Sequence, residues 1–171
     1  MPEKANQEQF VTLINEHNAM LHKVCHVYCH SPADRQDLFQ EIVVQLWKSF
    51  SSFRGESKFS TWLYRIALNT AISDLRRQQR RIKVDYPELV PMDLAAEPFN
   101  NEREEQLQHL YEGIAQLGEI EKALVMLYLD DKSYDEMEDI LGINQNNLRV
   151  KMNRVKEKLR KLTKAVEHGV R

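Results

Sequence analysis

Glycine and proline are scarce, five of each in 171 residues, so a fold of many short strands joined by tight turns is not expected. No apolar run approaches the ~20 residues that a bilayer-spanning helix needs. Two cysteines cannot make a disulfide framework. The start, Met1-Pro2-Glu3-Lys4, lacks the basic head and apolar stretch of a secretory signal, which leaves the cytoplasm as the expected compartment. No Ser/His/Asp set, phosphate-binding glycine loop or paired-carboxylate pattern stands out, so the sequence gives no case for catalysis and calls for no cofactor. What remains is ordinary for a folded protein: 42% hydrophobic and 29% charged residues.

The formal net charge of −2 hides a strong segregation. Residues 1–83 carry +4, residues 84–147 carry −13 and residues 148–171 carry +7. Two basic zones separated by an acidic one suggest two contacts with a polyanion. Residues 84–102 hold five acids, Pro87, Pro91 and Pro98, and no Lys or Arg. Such a stretch buries little, and it is expected to be an extended, flexible linker between domains at 1–83 and 103–171.

Both flanks have helical periodicity, so the expected fold class is all-α. Phe10, Leu13, Ile14 and His17, then Leu21, Val24, Cys25 and Tyr28, keep helical spacing up to Pro32. Leu38, Ile42, Leu46 and Phe50 predict a second helix from about Asp34 to Phe50. Tyr64, Ala67, Leu68, Ala71, Ile72 and Leu75 give a third, from about Ser60 to Arg81, a full core stripe. Four more are expected near 103–117, 120–130, 133–141 and 145–165.

The third helix carries Trp62, Arg65, Ile66, Asn69, Ser73 and Arg76 opposite that stripe and runs out through Arg77, Arg80 and Arg81. Guanidiniums neutralise phosphates, an amide can read a base edge, and aromatics stack on unpaired bases. The loop before it, Phe53-Arg54-Gly55-Glu56-Ser57-Lys58-Phe59, sets two further aromatics among basic residues. Near the other end, Ser133-Tyr134-Asp135-Glu136 is a capping box. Gly142 supplies a stop, and Leu148, Met152, Val155, Leu159 and Leu162 form one narrow stripe on a following helix. Arg149, Lys151, Arg154, Lys156, Lys158, Arg160, Lys161 and Lys164 fill its remainder. This is a helix-turn-helix with a basic second helix, suited to a major groove.

The run from Ser52 to Asn69, with Asp37-Leu38-Phe39-Gln40-Glu41 and Leu46-Trp47 upstream, resembles region 2 of the extracytoplasmic-function (ECF) sigma factors. Residues 133–162 resemble, more weakly, region 4 of that family; together the resembling segments cover about 21–83 and 104–162. The resemblance implies two small helical domains, a region 2 bundle and a region 4 helix-turn-helix, that bind core RNA polymerase through its β′ clamp and β flap, recognise promoter DNA and melt it without ATP. It implies a polymerase-docking face of Asp37, Gln40, Glu41, Val44 and Lys48. It implies minus-ten contacts from Phe53, Arg54, Phe59, Trp62, Arg65, Asn69, Ser73, Arg76, Arg77 and Arg80, the aromatics lying near the flipped base. Minus-thirty-five contacts would come from Asn146, Asn147, Arg149, Val150, Lys151, Arg154 and Lys158. An anti-sigma antagonist is a common partner of the family and is expected here, and the acidic linker would thread the polymerase near its active centre.

Three positions depart from the region 4 pattern: Gly118 where proline is usual, Glu138 where a small alanine lets the two helices approach, and Val150 where serine is common. His22, Cys25, His26, Cys29 and His30 also share one helix side with possible zinc-ligand or thiol chemistry. Cys25 belongs to the apolar stripe, however, and one helix face rarely closes a tetrahedral site, so no metal is expected. Two rivals remain: a stand-alone helix-turn-helix regulator, and a metal- or redox-sensing helical adaptor.

Overall fold

The computed structural model describes residues 2–84 and 102–169, and the linker expected at 84–102 falls almost wholly outside them. Helices α1 (Pro2–Glu16), α2 (Asn18–Tyr28), α3 (Pro32–Phe50) and α4 (Phe59–Val84) form the first half, and α5 (Glu102–Ala115), α6 (Glu119–Leu129), α7 (Tyr134–Leu141) and α8 (Gln145–Gly169) the second. There is no strand among the described residues.

Each boundary has a local cause. The His17 ring nitrogen Nδ1 lies 2.9 Å from the Leu13 carbonyl, and its backbone leaves the helical region at φ −107° and ψ 14°. The apolar spacing carries across this break, which divides α1 from α2. Ser31 caps α3 by accepting from the Asp34 N–H at 3.1 Å, and Pro32 occupies the first turn, where its missing N–H costs nothing. The box predicted at Ser133 and Glu136 is formed: the Ser133 hydroxyl accepts from the Glu136 N–H at 3.2 Å, and the Glu136 carboxylate accepts from the Ser133 N–H at 2.9 Å. That backbone hydrogen bond, above all, holds the Glu136 carboxyl below its ordinary range. Gly142 ends α7 in the left-handed region at φ 68°, where a side chain would be strained. Losing one N-cap oxygen costs roughly 0.5–2 kcal/mol, so Ser133→Ala is expected to lower the unfolding midpoint of the second half; thermal unfolding by circular dichroism checks it.

The core of the first half is the predicted stripe set joined by Leu63, which no predicted stripe included. Leu21, Val24, Ile42, Leu46, Leu63, Ala67 and Leu68 are almost wholly inaccessible. In the second half Leu124, Leu127, Met137, Leu148, Met152 and Val155 play that part. Glu138 is only half-buried and leaves α7 packed on α8, so the departure from alanine does not prevent the helix crossing. Gly118 precedes α6 at φ −65°, an angle proline would also adopt, but its N–H donates to Glu121 Oε2 at 2.9 Å, a bond that proline could not make.

The halves pack on one another: α2 against α5 and α6, and α4 against α6 and α7. Tyr28, 4% exposed, donates its hydroxyl to the Glu119 carbonyl at 2.7 Å. Lys122 is 5% exposed, with its ammonium 5.7 Å from the centre of the Tyr28 ring. Burial lowers the pKa of that ammonium.

Candidate nucleic-acid interface

The third-helix site predicted from sequence is brought together by α4 and the loop before it. Phe53, Phe59 and Trp62 form a cluster with ring centres 5.1–5.6 Å apart. A cavity of about 390 Å³ opens beside it, lined by Ser52, Phe53, Arg54, Glu56, Ser57, Trp62, Arg65 and Asp139. Trp62 was expected opposite the core stripe but is 9% exposed. The loop folds back and covers it with Phe53, Phe59 at the start of α4 packs on it as well, and Phe50 approaches at 6.4 Å. Its edge therefore lines the cavity while most of the indole is structural. Phe53 and Phe59 are half-buried, and Arg54 is exposed.

Farther along α4, Asn69, Ser73, Arg76, Arg77 and Arg80 are exposed on one face. A second cleft of about 460 Å³ lies between α3 and α4, lined by Glu41, Gln45, Asn69, Thr70, Ser73, Asp74 and Arg77. Arg77 donates to Asp74 Oδ1 at 2.8 Å, which raises its pKa. Arg65 donates through Nε to the Asp139 carbonyl at 2.9 Å and again through its second nitrogen. Arg76 donates to Glu119 Oε1 at 2.7 Å. Both acceptors belong to the second half, which no periodicity argument on α4 could have indicated.

On α8 the predicted register holds. Leu148, Met152 and Val155 are buried, whereas Asn146, Asn147, Arg149, Val150, Lys151, Arg154 and Lys158 are exposed. The Asn144 side chain accepts from the Asn146 N–H at 2.9 Å, fixing the helix start. Arg149 lies 4.9 Å over the Tyr134 ring. Lys158 pairs with Glu121 at 2.8 Å. Burial pushes the Glu121 carboxyl up, but hydrogen bonds from Lys158 and from the Gly118 N–H outweigh it and leave its pKa lowered. Val150 is 50% exposed, a branched apolar side chain between two cations.

The outer face of α3 presents Asp37, Gln40, Val44 and Lys48 to solvent, with Glu41 turned half inward and accepting from Gln45 at 2.9 Å. Sequence reasoning missed Trp47 as a member of this face. It is 44% exposed beside Val44 at 45%, and its ring meets Phe10 at 5.0 Å. The i, i+3 spacing from Val44 was the available signal.

The Cys/His face does not converge. Cys25 and Cys29 are buried and free, while His22, His26 and His30 are exposed; His22 stacks on Phe39 at 4.6 Å. Burial pushes the two thiols up, to about 12 and about 11, away from the reactive thiolate. Among the described residues no three or more His, Cys, Asp or Glu side chains are placed to hold a metal ion. Nor is any described helix long and apolar enough to cross a membrane.

Comparison with known proteins agrees with this geometry. Residues 13–81 match the family model for sigma-70 region 2 and residues 107–159 that for sigma-70 region 4. The chain is 30% identical over 166 residues to the ECF RNA polymerase sigma-E factor of Escherichia coli K12, a match covering 91% of this chain and 86% of that protein. Among solved structures it is similar to the sigma factor RpoE of Bartonella quintana, seen in complex with the anti-sigma factor NepR (TM-score 0.73, 20% identity, 92% of this chain and 98% of that one). It is also similar to CnrH in complex with the cytosolic domain of CnrY (TM-score 0.67, 21% identity, 93% and 90%). The chain belongs to the ECF sigma factors, the non-enzymatic subunits that give bacterial RNA polymerase its promoters.

Proposed function

We propose that this sigma factor divides its work as the exposed side chains suggest. Residues 1–83 form the domain that docks on polymerase and opens the minus-ten element, residues 84–102 are the connecting linker, and residues 103–171 form the domain that reads the minus-thirty-five element. The observation that carries this reading is the pairing, on one chain, of an aromatic-walled cavity between Arg54 and Arg65 with an exposed basic helix face on α8. A cavity beside stacked rings can hold an unstacked base. Asn69 would read a base edge, and Arg76, Arg77 and Arg80 would meet the phosphates. Asn146, Asn147, Arg149, Val150, Lys151, Arg154 and Lys158 would enter the upstream major groove. Docking on the β′ clamp would use Asp37, Gln40, Val44, Trp47 and Lys48, with Glu41 at the border between that face and the α3–α4 cleft. The β flap would receive the second half.

The working compartment is the cytoplasm, where the polymerase is. An anti-sigma factor is the expected antagonist, supported by the similar structure of the sigma factor RpoE in complex with the anti-sigma factor NepR. Run-off transcription with core polymerase on genomic fragments tests the whole reading: defined new start sites are expected only when this chain is added, and none would appear if it were a stand-alone regulator.

Val150 makes the upstream assignment specific. An exposed isopropyl group between Arg149 and Lys151 has no folding role here, but in a major groove it would meet a thymine methyl. Val150→Ser is therefore expected to shift the preferred minus-thirty-five sequence, whereas Lys158→Ala weakens all sequences alike. The lysine change should also flatten the salt dependence by about 0.9 of a slope unit per lost phosphate contact. Selection from a randomised promoter pool decides it; identical enriched sequences for wild type and Val150→Ser would remove Val150 from the reading helix.

A further inference from the structure

A cavity of about 870 Å³ opens between α2, the start of α3 and α5, and none of its lining residues is assigned to promoter or polymerase. Its size is that of a small-molecule site, ~300–1,000 Å³, and such sites gather where two packed bodies meet. Leu107, Tyr111 and Ala115 line it at i, i+4 and i+8, so one face of α5 turns apolar side chains to the opening. Leu107 is 49% and Tyr111 41% exposed. On α2, Val27 and Cys29 are buried and complete an apolar wall.

The ionisable groups around this wall lean one way. Arg35 donates through Nε to the Cys29 carbonyl at 3.1 Å, which holds its guanidinium at the cavity. Its two terminal nitrogens have no acceptor among the described residues. His26 and His30 line the cavity too, and the His26 ring lies 6.4 Å from that of Tyr111. Burial first, then the charges of Arg35 and His22, lower the pKa of His26, so the potential at this edge is positive. Glu112 is the one acid of the described lining. It is drawn along α5, accepting from Gln108 at 3.2 Å and lying 3.7 Å from His109 Nδ1.

We propose that this cavity binds a small free carboxylate with an apolar body. The hydrocarbon packs on Leu107, Tyr111 and Val27, and the carboxylate meets the open end of the Arg35 guanidinium, whose planar fork matches its two oxygens. One fixed cation suits a monoanion; a phosphate monoester would bring a second charge without a fixed partner into largely apolar surroundings. Walls from both halves of the chain give such a ligand a further effect. Its binding favours the arrangement in which α5 packs on α2, and so links the concentration of a small molecule to the state of the sigma factor. The site does not depend on any promoter or polymerase assignment.

Isothermal titration calorimetry of the full-length chain with decanoate, below its micelle concentration, tests this. Decanol, decyl phosphate and decyltrimethylammonium probe the headgroup. Saturable binding of one decanoate per chain is expected, about tenfold or more tighter than decanol or decyl phosphate, and no binding of the ammonium. Arg35→Gln and Leu107→Gln should each weaken decanoate by about tenfold. Leu129→Gln, at a similarly exposed leucine on α6, should leave it unchanged. In the wild type the His26 pKa, followed by NMR, should rise with decanoate and stay put with decanol, because a carboxylate offsets the Arg35 charge. His22 and His30 on α2, and Tyr111 and Glu112 on α5, are the other titratable groups around His26 and are common to both arms. Arg35→Gln also loses the bond to the Cys29 carbonyl; if it does not fold, Leu107→Gln and the His26 titration decide. Equal affinity for decanol, equal or tighter binding of decyl phosphate, or an unmoved His26 overturns the carboxylate. Decanoate affinity kept in Leu107→Gln, or lost as much in Leu129→Gln, overturns the site, and so does the absence of saturable binding.

Discussion

Val44→Asp and Trp47→Ala are each expected to weaken assembly with core polymerase by about 30-fold or more, the equivalent of ~2 kcal/mol at an interface hot spot. Both side chains are nearly half-exposed on the outer face of α3, flanked by Asp37, Gln40 and Lys48. An exposed tryptophan next to a branched aliphatic, rimmed by polar groups, is the composition of an interface centre. The two variants control each other. Trp47 also covers Phe10 at 5.0 Å, so removing it costs some fold stability; Val44 is a surface position where substitutions usually stay within about 0.5 kcal/mol. Glu41→Lys is less diagnostic, because Glu41 also lines the cleft that holds Asn69. Titration of fluorescently labelled chain with core enzyme measures the effect. Assembly at wild-type affinity by both variants would show that polymerase docks elsewhere.

Apart from the break at His17 that divides α1 from α2, the helices were legible because each buries one periodic stripe, and the ends of α7 because its caps, Ser133 with Glu136 and Gly142, are local in sequence. The site was legible in part for the same reason: the α8 face follows from Leu148, Met152 and Val155 being inward. What escaped was nonlocal. Trp62 lies on the face that periodicity assigns to solvent, yet Phe53 from the loop before α4 returns to cover it together with Phe59 at the start of α4. Lys122 interrupts an apolar run and would be expected to reach solvent, but Tyr28, 94 positions earlier in the chain, lies beneath it. The partners of Arg65 and Arg76 sit 74 and 43 positions away. A charge census showed that the middle of the chain is acidic; only the packing of α6 and α7 on α2 and α4 shows which cations those acids face.

Asn69→Ala is expected to reduce promoter opening by roughly 5- to 150-fold, corresponding to about 1–3 kcal/mol for one base contact, with polymerase assembly unchanged. Asn69 is exposed at the mouth of the α3–α4 cleft. Its neighbours are committed within the fold: the Thr70 hydroxyl donates to the Ile66 carbonyl at 2.7 Å, and Asp74 accepts from Arg77 and Gln78. The Asn69 amide has no such bond among the described residues, so its loss costs the folded chain little. Because the amide carries both a donor and an acceptor, Asn69→Asp is a sharper test of base reading than alanine. A carboxylate of nearly the same shape removes the donor and adds a charge that the phosphates repel, so it should be at least as impaired as Asn69→Ala. If the side chain did not face the promoter at all, Asn69→Asp would instead act as wild type. Permanganate reactivity of the minus-ten thymines, measured in complexes assembled at saturating polymerase, separates opening from assembly. Wild-type reactivity in both variants would remove Asn69 from the promoter contact and shift base reading to the aromatic cavity beside Trp62.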